Sequence, residues 1–325
     1  MAKDEVLIDR FGRPVTGVRV SLNPSSGCNY RCVFCHNEGI YESPENLMKP
    51  EEVEHIIRIL YQFGVKFVKI TGGEPLLRPD MVEIVERLGR LPLRELSLTT
   101  NGTRLSNLAE PLKKAGLKRV NISLHSLKEK TYNFITGATR FKPTLDAIQA
   151  ALIAGLTPVK LNMVVLKNVN DDEIDDVIRF VGELGGGEKV ILQLIELVME
   201  GDADAQFYKM FHADLSEVEE SLRKRAVKET VRDLHFRHRY LQPNGVWVEV
   251  VKPMHNSTFC MGDHRIRITY DGKFKPCLLR HDNHVDFLQA MRNGVSDDKL
   301  ADLFRLAVQL REPFFKPAIT SKTPS

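Results

Sequence analysis

Short runs of β-branched and apolar residues alternate along the chain with longer segments in which apolar residues recur every three or four positions. Between residue 17 and about residue 196 this alternation predicts six β-α units. The predicted strands are Val18–Leu22, Lys66–Ile70, Glu95–Thr99, Arg119–Ser123, Pro158–Val165 and Lys189–Ile195. Repeated β-α units build a parallel sheet, which is either doubly wound or curved into an incomplete (β/α) barrel.

Three of the intervening segments carry an apolar stripe with the spacing of an amphipathic helix. The stripes are Val53, Ile56, Ile57, Leu60 and Phe63; Met81, Ile84, Val85 and Leu88; and Ile174, Val177, Ile178, Val181 and Leu184. We interpret them as core positions that pack helices onto the sheet. In either fold, ligands collect at the carboxyl ends of the strands, so the polar residues there form the candidate site.

Beyond Glu200 the alternation stops, and the pattern predicts a smaller α+β region. Its predicted elements are a charged helix around Leu215–Arg232, β-rich runs near Leu234–Tyr240 and Val246–Val251, and a last helix near Asp297–Arg311. We therefore predict one domain over residues 1–200, a second over 201–315, and a disordered tail over 316–325 that is rich in Pro, Ser and Thr.

Composition excludes several classes of function. The 325 residues include 46 Lys or Arg and 43 Asp or Glu, and a net charge of +3 is too small to indicate a nucleic-acid partner. No uncharged run has the length of a membrane span, which is about 20 residues, and the first residues lack the pattern of a signal peptide. We expect a cytoplasmic protein that has no membrane partner and is a monomer or a homodimer.

Three of the five cysteines lie within eight residues, as Cys28, Cys32 and Cys35 in the pattern C-x3-C-x2-C. In a reducing compartment this spacing indicates metal ligation rather than disulfides. Three thiolates without a fourth suit a four-iron cluster that keeps one iron open. The alternatives are a zinc knuckle with His36 as fourth ligand, or three buried structural thiols.

The second predicted strand leads into Thr71-Gly72-Gly73-Glu74-Pro75, one β-α unit after the cysteines. Together, C-x3-C-x2-C and GGEP resemble the radical S-adenosylmethionine (SAM) superfamily. The resemblance implies an incomplete (β/α)6 barrel, TIM-like and of the α/β class. It also implies a [4Fe–4S] cluster on the three cysteines, whose open iron chelates SAM, while the GGEP strand binds the SAM amino group.

Further motifs narrow the resemblance to the GTP 3′,8-cyclase family of molybdenum or tungsten cofactor biosynthesis, and to its archaeal-like members. The motifs are FGRP-x4-VRVSL, KITGGEPLLR, LSLTTNG, AGLKRVNISLHS, KLNMVVLKNVNDDEI, LQLIEL and C-x2-D-H-R-I-R-I-T-x-D-G-K-x-K-P-C. The resemblance implies a lyase that abstracts the ribose 3′ hydrogen of GTP and joins C3′ to C8, giving (8S)-3′,8-cyclo-7,8-dihydro-GTP.

The resemblance also implies site residues at matching positions. The positions expected to contact SAM are Phe34, Gly73, Ser123 and Val198, and those expected to bind GTP are Arg19, Lys69, Thr99, Lys160, Arg265 and Arg267. Several cations from separate strands suit a triphosphate held in a dry cavity. The implied partners are a ferredoxin- or flavodoxin-like electron donor and, downstream, a cyclic pyranopterin synthase.

In the family a C-terminal C-x2-C-x13-C motif holds a second cluster, but here Asp263 replaces the middle cysteine and leaves Cys260 and Cys277. Three interpretations follow: Asp263 ligates iron through oxygen, His264 or another group does so, or the second cluster is lost. Other departures are Gln193 in place of arginine, His125 in place of aspartate, Val198 in place of methionine, and the absence of a Gly-Gly C-terminus.

Two other functions compete with the cyclase at this stage. One is a radical SAM enzyme that acts on a different substrate, such as a peptide maturase. The paired arginines Arg265 and Arg267 argue against a peptide substrate. The other is a zinc-stabilised binding module without enzymatic activity.

Overall fold

The six predicted strands form a curved parallel sheet in the computed structural model, which describes residues 5–40, 47–198 and 205–316. They are β1 (Gly17–Ser21), β2 (Phe67–Thr71), β3 (Glu95–Thr100), β4 (Arg119–Ser123), β5 (Val159–Val164) and β6 (Gly187–Ile195). Each is paired in parallel with the next along the chain. The prediction of an α/β fold with an incomplete (β/α)6 barrel is confirmed.

Helices connect these strands and cover the outer face of the sheet. They are α1 (Pro50–Gln62), α2 (Met81–Gly89), α3 (Leu105–Lys114), α4 (Glu129–Thr136), α5 (Phe141–Ile153) and α6 (Ile174–Glu183). The three apolar stripes are buried as predicted, except that Phe63 and Leu184 are partly exposed at the edge of the core. Pro50 begins α1, and the Glu52 side chain accepts from the Lys49 backbone N–H, at 2.7 Å, so the first turn is capped.

The strands have two faces of opposite character because successive side chains point to opposite sides. In β1, Val18 and Val20 are buried under the helices, whereas Arg19 points into the barrel. The same alternation places Lys69 of β2 and Lys160 of β5 inside. The interior of this barrel is therefore polar, and its apolar core lies between the sheet and the helices.

The C-terminal region extends the same sheet at both ends. It contributes α7 (Ala205–Phe211), α8 (Leu215–Arg225), β7 (Lys228–Val231), β8 (His238–Leu241), β9 (Val246–Val251), α9 (Ser257–Met261), β10 (Arg265–Ile268), β11 (Lys273–Lys275), β12 (Val285–Asp286), α10 (Leu288–Arg292) and α11 (Asp297–Gln309). β9 is parallel to β6 and β10 is parallel to β1. The described sheet runs β12-β11-β10-β1-β2-β3-β4-β5-β6-β9-β8-β7. The domain boundary at residue 200 stays a prediction.

A turn over residues 232–237 joins β7 to β8, and we call it the closing turn. The His235 backbone N–H donates to the Gly262 carbonyl at 2.6 Å, and the His235 ring packs on Phe259 at 3.9 Å between centroids. The turn thus reaches from the β9 side of the barrel to the segment that precedes β10. A Cβ atom on Gly262 would lie 2.8 Å from His235 Cα, so this contact requires glycine.

Several predicted boundaries were wrong. The charged helix does not continue to Arg232: it ends at Arg225, Ala226 is extended, and β7 follows because Lys228–Val231 is paired with β8. The β-rich run from Leu234 begins as a 3₁₀ turn, and its strand starts at His238. The last helix ends at Gln309 rather than Arg311. Most of the tail predicted to be disordered, residues 317–325, lies outside the described residues.

No helix within the described ranges has the length and apolar character needed to span a membrane.

Candidate active site

A cavity of about 1000 Å³ fills the barrel, and all the residues predicted from the sequence to form the site line it. They are Arg19, Cys28, Cys32, Phe34, Cys35, Lys69, Gly73, Thr99, Ser123, Lys160, Val198, Cys260, Asp263, Arg265, Arg267 and Cys277. Among the described lining residues, ten are Lys or Arg and seven are Asp or Glu. The cavity therefore favours an anionic ligand, although the net charge of the whole chain is small.

The loop after β1 carries the three clustered cysteines along one side of the cavity. Cys28 and Cys32 are partly buried and Cys35 is exposed. The loop is pinned to the end of α4, because Arg31 and Val33 donate backbone N–H groups to the carbonyls of Thr136 and Ile135, at 2.9 Å each.

The sulfurs of this loop lie in a protected environment. The Tyr30 backbone N–H donates to Cys28 Sγ at 3.4 Å, and burial raises the pKa of the Cys28 and Cys32 thiols. A cationic iron centre would favour the thiolates, and N–H donors to sulfur are a feature of iron–sulfur sites. The donor set therefore fits the cluster that the spacing predicted.

Gly72 and Gly73 allow the end of β2 to pack against the start of the cysteine loop. Gly72 has φ +134°, and a Cβ atom there would lie 2.8 Å from the Asn23 backbone. A Cβ on Gly73 would lie 2.4 Å from the Pro24 carbonyl oxygen. The glycines of GGEP thus seat the loop that carries Cys28, a role that the sequence pattern did not reveal.

Glu74 joins the ends of three strands. Its carboxylate accepts from Thr100 Oγ1 at 2.6 Å, from the Asn101 backbone N–H at 2.7 Å and from the Leu76 backbone N–H at 3.0 Å. Its carbonyl accepts from Asn23 Nδ2 at 2.8 Å. Burial raises the pKa of Glu74 to about 7 against these hydrogen bonds. Glu74 holds β2, β3 and the cysteine loop in one arrangement.

The positions predicted to contact SAM line the same cavity as this loop. The Phe34 ring meets the His125 ring edge to face, with 4.8 Å between centroids. Burial lowers the pKa of His125 to about 3, and its Nδ1 accepts from the Val164 backbone N–H at 3.2 Å. His125 is therefore neutral and holds Phe34 in place. Ser123 and Val198 also line this cavity.

Glu38 lies between two of the arginines predicted to bind GTP. Its carboxylate contacts Arg19 at 2.5 Å and Arg267 at 2.8 Å, and it accepts from Thr71 Oγ1 at 3.0 Å. Although burial opposes its ionisation, the two guanidinium groups hold the pKa of Glu38 at about 2. Sequence reasoning missed Glu38, whose left-handed φ of 54° turns it inward from the cysteine loop.

Two cations lie side by side on β2 and β4. Lys69 Nζ donates to Asn121 Oδ1 at 3.3 Å, and burial together with the neighbouring Arg119 lowers the pKa of Lys69 well below its usual value. Arg119 itself is paired with both oxygens of Glu95, at 2.6 and 2.8 Å. Lys69 therefore has an amide but no carboxylate partner among the described residues.

Glu249 of β9 is the centre of the most highly charged cluster. It is fully buried and contacts Lys160 at 2.5 Å, Arg237 at 2.9 Å and Arg232 at 3.2 Å. Gln193 Nε2 donates to it at 3.0 Å. The sequence analysis did not select Glu249 as a site residue, because its strand has the pattern of an apolar core strand. A single charged residue within VWVEVV could have indicated a buried, paired side chain.

Cys260 and Cys277, the two cysteines of the C-terminal region, lie near the closing turn. Burial raises the pKa of both thiols, and nearby backbone N–H groups, those of Phe315 and Phe314 for Cys260 and that of Leu279 for Cys277, oppose this rise in pKa. Across the described residues, no group of three or more His, Cys, Asp or Glu side chains is arranged to hold a single metal ion, and this applies to both sets of cysteines.

Asp263 faces the same part of the cavity. Its Oδ1 contacts His235 Nε2 at 2.9 Å and accepts from the Arg265 backbone N–H at 3.2 Å. Despite burial, the neighbouring His235, Arg311 and Arg265 hold the pKa of Asp263 well below its usual range. Asp263 is thus an anion beside Cys260 and Cys277, and His235 is a partner that the sequence did not indicate.

The other candidate ligands are placed differently. His36 Nδ1 accepts from the Glu38 backbone N–H at 3.2 Å, and burial lowers the pKa of His36. His264 lines the cavity and its carbonyl accepts from the Thr16 and Gly17 backbone N–H groups.

Two family profiles match successive parts of the chain. Residues 22–181 match the radical SAM superfamily, and residues 190–317 match the family described as Molybdenum Cofactor Synthesis C. The profiles meet between residues 181 and 190, before the domain boundary predicted at residue 200.

Archaeal relatives are similar over nearly the whole chain. A probable GTP 3′,8-cyclase of Thermococcus kodakarensis is 48% identical over 96% of this chain and 100% of its own length. A probable GTP 3′,8-cyclase of Methanosarcina acetivorans is 47% identical over 97% of this chain and 92% of its own.

Solved structures share the fold at low sequence identity. Native anSMEcpe with bound AdoMet superposes with a TM-score of 0.59 at 18% identity, over 89% of this chain and 81% of that one. Streptococcus suis SuiB gives 0.58 at 16% identity, over 94% of this chain and 68% of that one. These likenesses establish the radical SAM fold.

The packing of Gly73 generates the first prediction. Gly73→Ala places a methyl group against the Pro24 carbonyl, so we expect it to displace the cysteine loop and to lower the free energy of unfolding by about 1–3 kcal/mol. The iron bound after anaerobic reconstitution should fall as well. Gly27→Ala is the matched control, because its Cβ would meet nothing closer than 3.7 Å. Equal stability and equal iron content in both variants would contradict this role.

Proposed function

Because this chain belongs to the radical SAM superfamily and, within it, to the family of the archaeal probable GTP 3′,8-cyclases, we propose that it cyclises GTP to (8S)-3′,8-cyclo-7,8-dihydro-GTP in molybdenum or tungsten cofactor biosynthesis. The observation that carries the proposal is the single cavity. It brings Cys28, Cys32 and Cys35 together with buried and partly buried Lys and Arg side chains from several strands.

The chain uses SAM and [4Fe–4S] chemistry as a member of its superfamily. We propose that Cys28, Cys32 and Cys35 hold the cluster, which when bound reduces SAM and supplies the agent that takes a hydrogen atom from the substrate. We propose that Gly73 and Ser123, which line the cavity, contact the amino acid and ribose parts of SAM. Phe34 and Val198 add apolar surface to the lining of the cavity.

We propose that GTP is bound by the cations on the inward faces of the strands. Arg19, Arg265 and Arg267 come from the adjacent strands β1 and β10, and Lys69 and Lys160 come from β2 and β5. Thr99 of β3 adds a hydroxyl group. Charge-assisted hydrogen bonds in a cavity shielded from water are strong, which suits a triphosphate.

The reaction assigns the enzyme to the lyases. The ribose 3′ hydrogen moves to 5′-deoxyadenosine, C3′ bonds to C8, and the purine gains one electron and one proton at N7, so the product is an isomer of GTP. Overall, SAM takes up two electrons and one proton in its reduction to methionine and 5′-deoxyadenosine. The two electrons that this reduction consumes require an external donor, which we expect to resemble ferredoxin or flavodoxin. We expect a cyclic pyranopterin synthase to consume the product, and the cytoplasm to be the compartment.

We propose that Cys260, Cys277 and Asp263 hold a second cluster. The support is that all three side chains line the same cavity as Arg265. Asp263 is anionic, so it offers a carboxylate oxygen as a hard but workable ligand. His235 orients that carboxylate through Oδ1.

The proposed activity is tested directly by turnover. Anaerobically reconstituted protein, incubated with reductant, SAM and GTP, should form 5′-deoxyadenosine and a cyclised nucleotide, both detected by mass spectrometry. The Cys32→Ala variant should form neither product. The control variant Arg225→Ala, in which the altered residue lies outside the cavity, should form both. Deoxyadenosine without any cyclised nucleotide would indicate another substrate, and the absence of deoxyadenosine would refute a radical SAM activity.

The role of Asp263 is tested by counting iron. We expect about eight irons per chain in the reconstituted protein, about four in Asp263→Ala, and about eight in Asp263→Cys, which restores a thiolate. Eight irons in Asp263→Ala would show that another group is the ligand. Four irons in the unaltered protein would show that the second cluster is lost.

The role of Lys160 is tested by pH. Burial and the charges of Arg232, Arg237 and Arg119 lower the pKa of Lys160 to about 7 against the opposing effect of Glu249. A bound triphosphate favours the protonated amine, so the affinity for GTP should fall as pH rises from 7.5 to 9, by up to about tenfold per pH unit. Calorimetry should show proton uptake that Lys160→Arg removes. An identical pH profile for both proteins would contradict the assignment.

A further inference from the structure

The closing turn carries two arginines into the cavity. Arg232 and Arg237 flank the turn, line the cavity and contact opposite oxygens of the same buried carboxylate, that of Glu249. From this arrangement we propose that Arg232 and Arg237 bind the polyphosphate chain of the nucleotide, an inference that rests on the proposed function.

The charge around Glu249 is unbalanced. One carboxylate is in contact with three cations, Lys160, Arg232 and Arg237, and it carries a single negative charge. A surplus of positive charge within a buried site is costly unless an anion compensates it. Burial and Arg232 lower the pKa of Arg237 against the opposing effect of Glu249, as this crowding requires.

The other carboxylates in the cavity contact fewer basic side chains than Glu249 does. Glu95 is in an ion pair with one arginine, Arg119, and Asp263 lies 3.8 Å from one arginine of the strands, Arg265. Glu38 is shared by two arginines. Glu249 therefore contacts more basic side chains than any other carboxylate in this comparison, and its cluster is the best match for a multiply charged anion.

Each of the two guanidinium groups has N–H donors that remain available to a ligand. Arg237 uses Nη1 on Glu249 and Nε on the Leu234 carbonyl, and Arg232 uses Nη1 on Glu249. Within the described part of the chain, Nη2 of each arginine has no acceptor. A guanidinium fixed at one end and free at the other is a preorganised phosphate donor.

The turn itself is held rigidly. The Arg232 backbone N–H donates to the Arg237 carbonyl at 2.9 Å, and His235 anchors the tip of the turn to Gly262 and Asp263. This anchoring lowers the entropy that the arginines would lose when an anion binds. It also connects the proposed phosphate subsite to the segment that carries Cys260.

A phosphate-dependent binding series tests the proposal. The dissociation constants of GTP, GMP and guanosine are measured by anaerobic calorimetry on the reconstituted enzyme and on Arg232→Ala, Arg237→Ala and Arg237→Lys. We expect Arg232→Ala and Arg237→Ala to weaken GTP binding about 10- to 100-fold, GMP binding less, and guanosine binding by less than about twofold. The dissociation constant of GTP for Arg237→Lys should lie between those for the unaltered enzyme and for Arg237→Ala. Arg225→Ala is the control, since it removes an exposed guanidinium paired with Asp175 on the outside of the barrel.

The outcomes separate this inference from the proposed function. If the variants bind GTP as tightly as the unaltered enzyme, or lose GTP and guanosine equally, the arginines only anchor the turn and the inference is wrong. If the unaltered enzyme does not bind GTP, the proposed substrate is wrong. Arg232 is about one-third exposed, so its variant is expected to fold even if Arg237→Ala does not, and thermal unfolding of each variant checks this.

Discussion

The balance of charge inside the barrel is the constraint on which the rest of the structure depends. Its strands present apolar side chains to the helices and charged side chains to the interior, so the fold must compensate buried cations as it forms. Glu38 and Glu249 do this for five cations between them. The compensation is incomplete, and this incompleteness is what makes the interior a receptor for a polyanion.

The C-terminal region contributes to this balance of charge inside the barrel. β9 delivers Glu249 to one side of the barrel, and β10 delivers Arg265 and Arg267 to the other. The closing turn then connects the two sides through His235. The same segments that complete the sheet therefore supply charges, the two C-terminal cysteines and part of the cavity wall.

Local motifs allowed much of this to be predicted from the sequence. The cysteine motif and GGEP are each short, continuous stretches of sequence, so each can be recognised locally. The period of the apolar residues located most strands to within about two residues, a normal uncertainty for such boundaries. The end of α8 was missed because a charged, helix-prone segment is paired with β8 as a strand, so tertiary pairing outweighed local propensity. Glu249 and Lys160 are 89 residues apart, and no local pattern reveals that they form an ion pair.

The proposed reaction begins with removal of the 3′ hydrogen of GTP within the charged cavity. The most direct measurement follows that atom. GTP carrying deuterium at C3′ is incubated anaerobically with the reconstituted enzyme, SAM and reductant, and the 5′-deoxyadenosine is analysed by mass spectrometry. The account predicts one deuterium in 5′-deoxyadenosine and its loss from the nucleotide product. Unlabelled 5′-deoxyadenosine, with deuterium retained in the nucleotide, would contradict it.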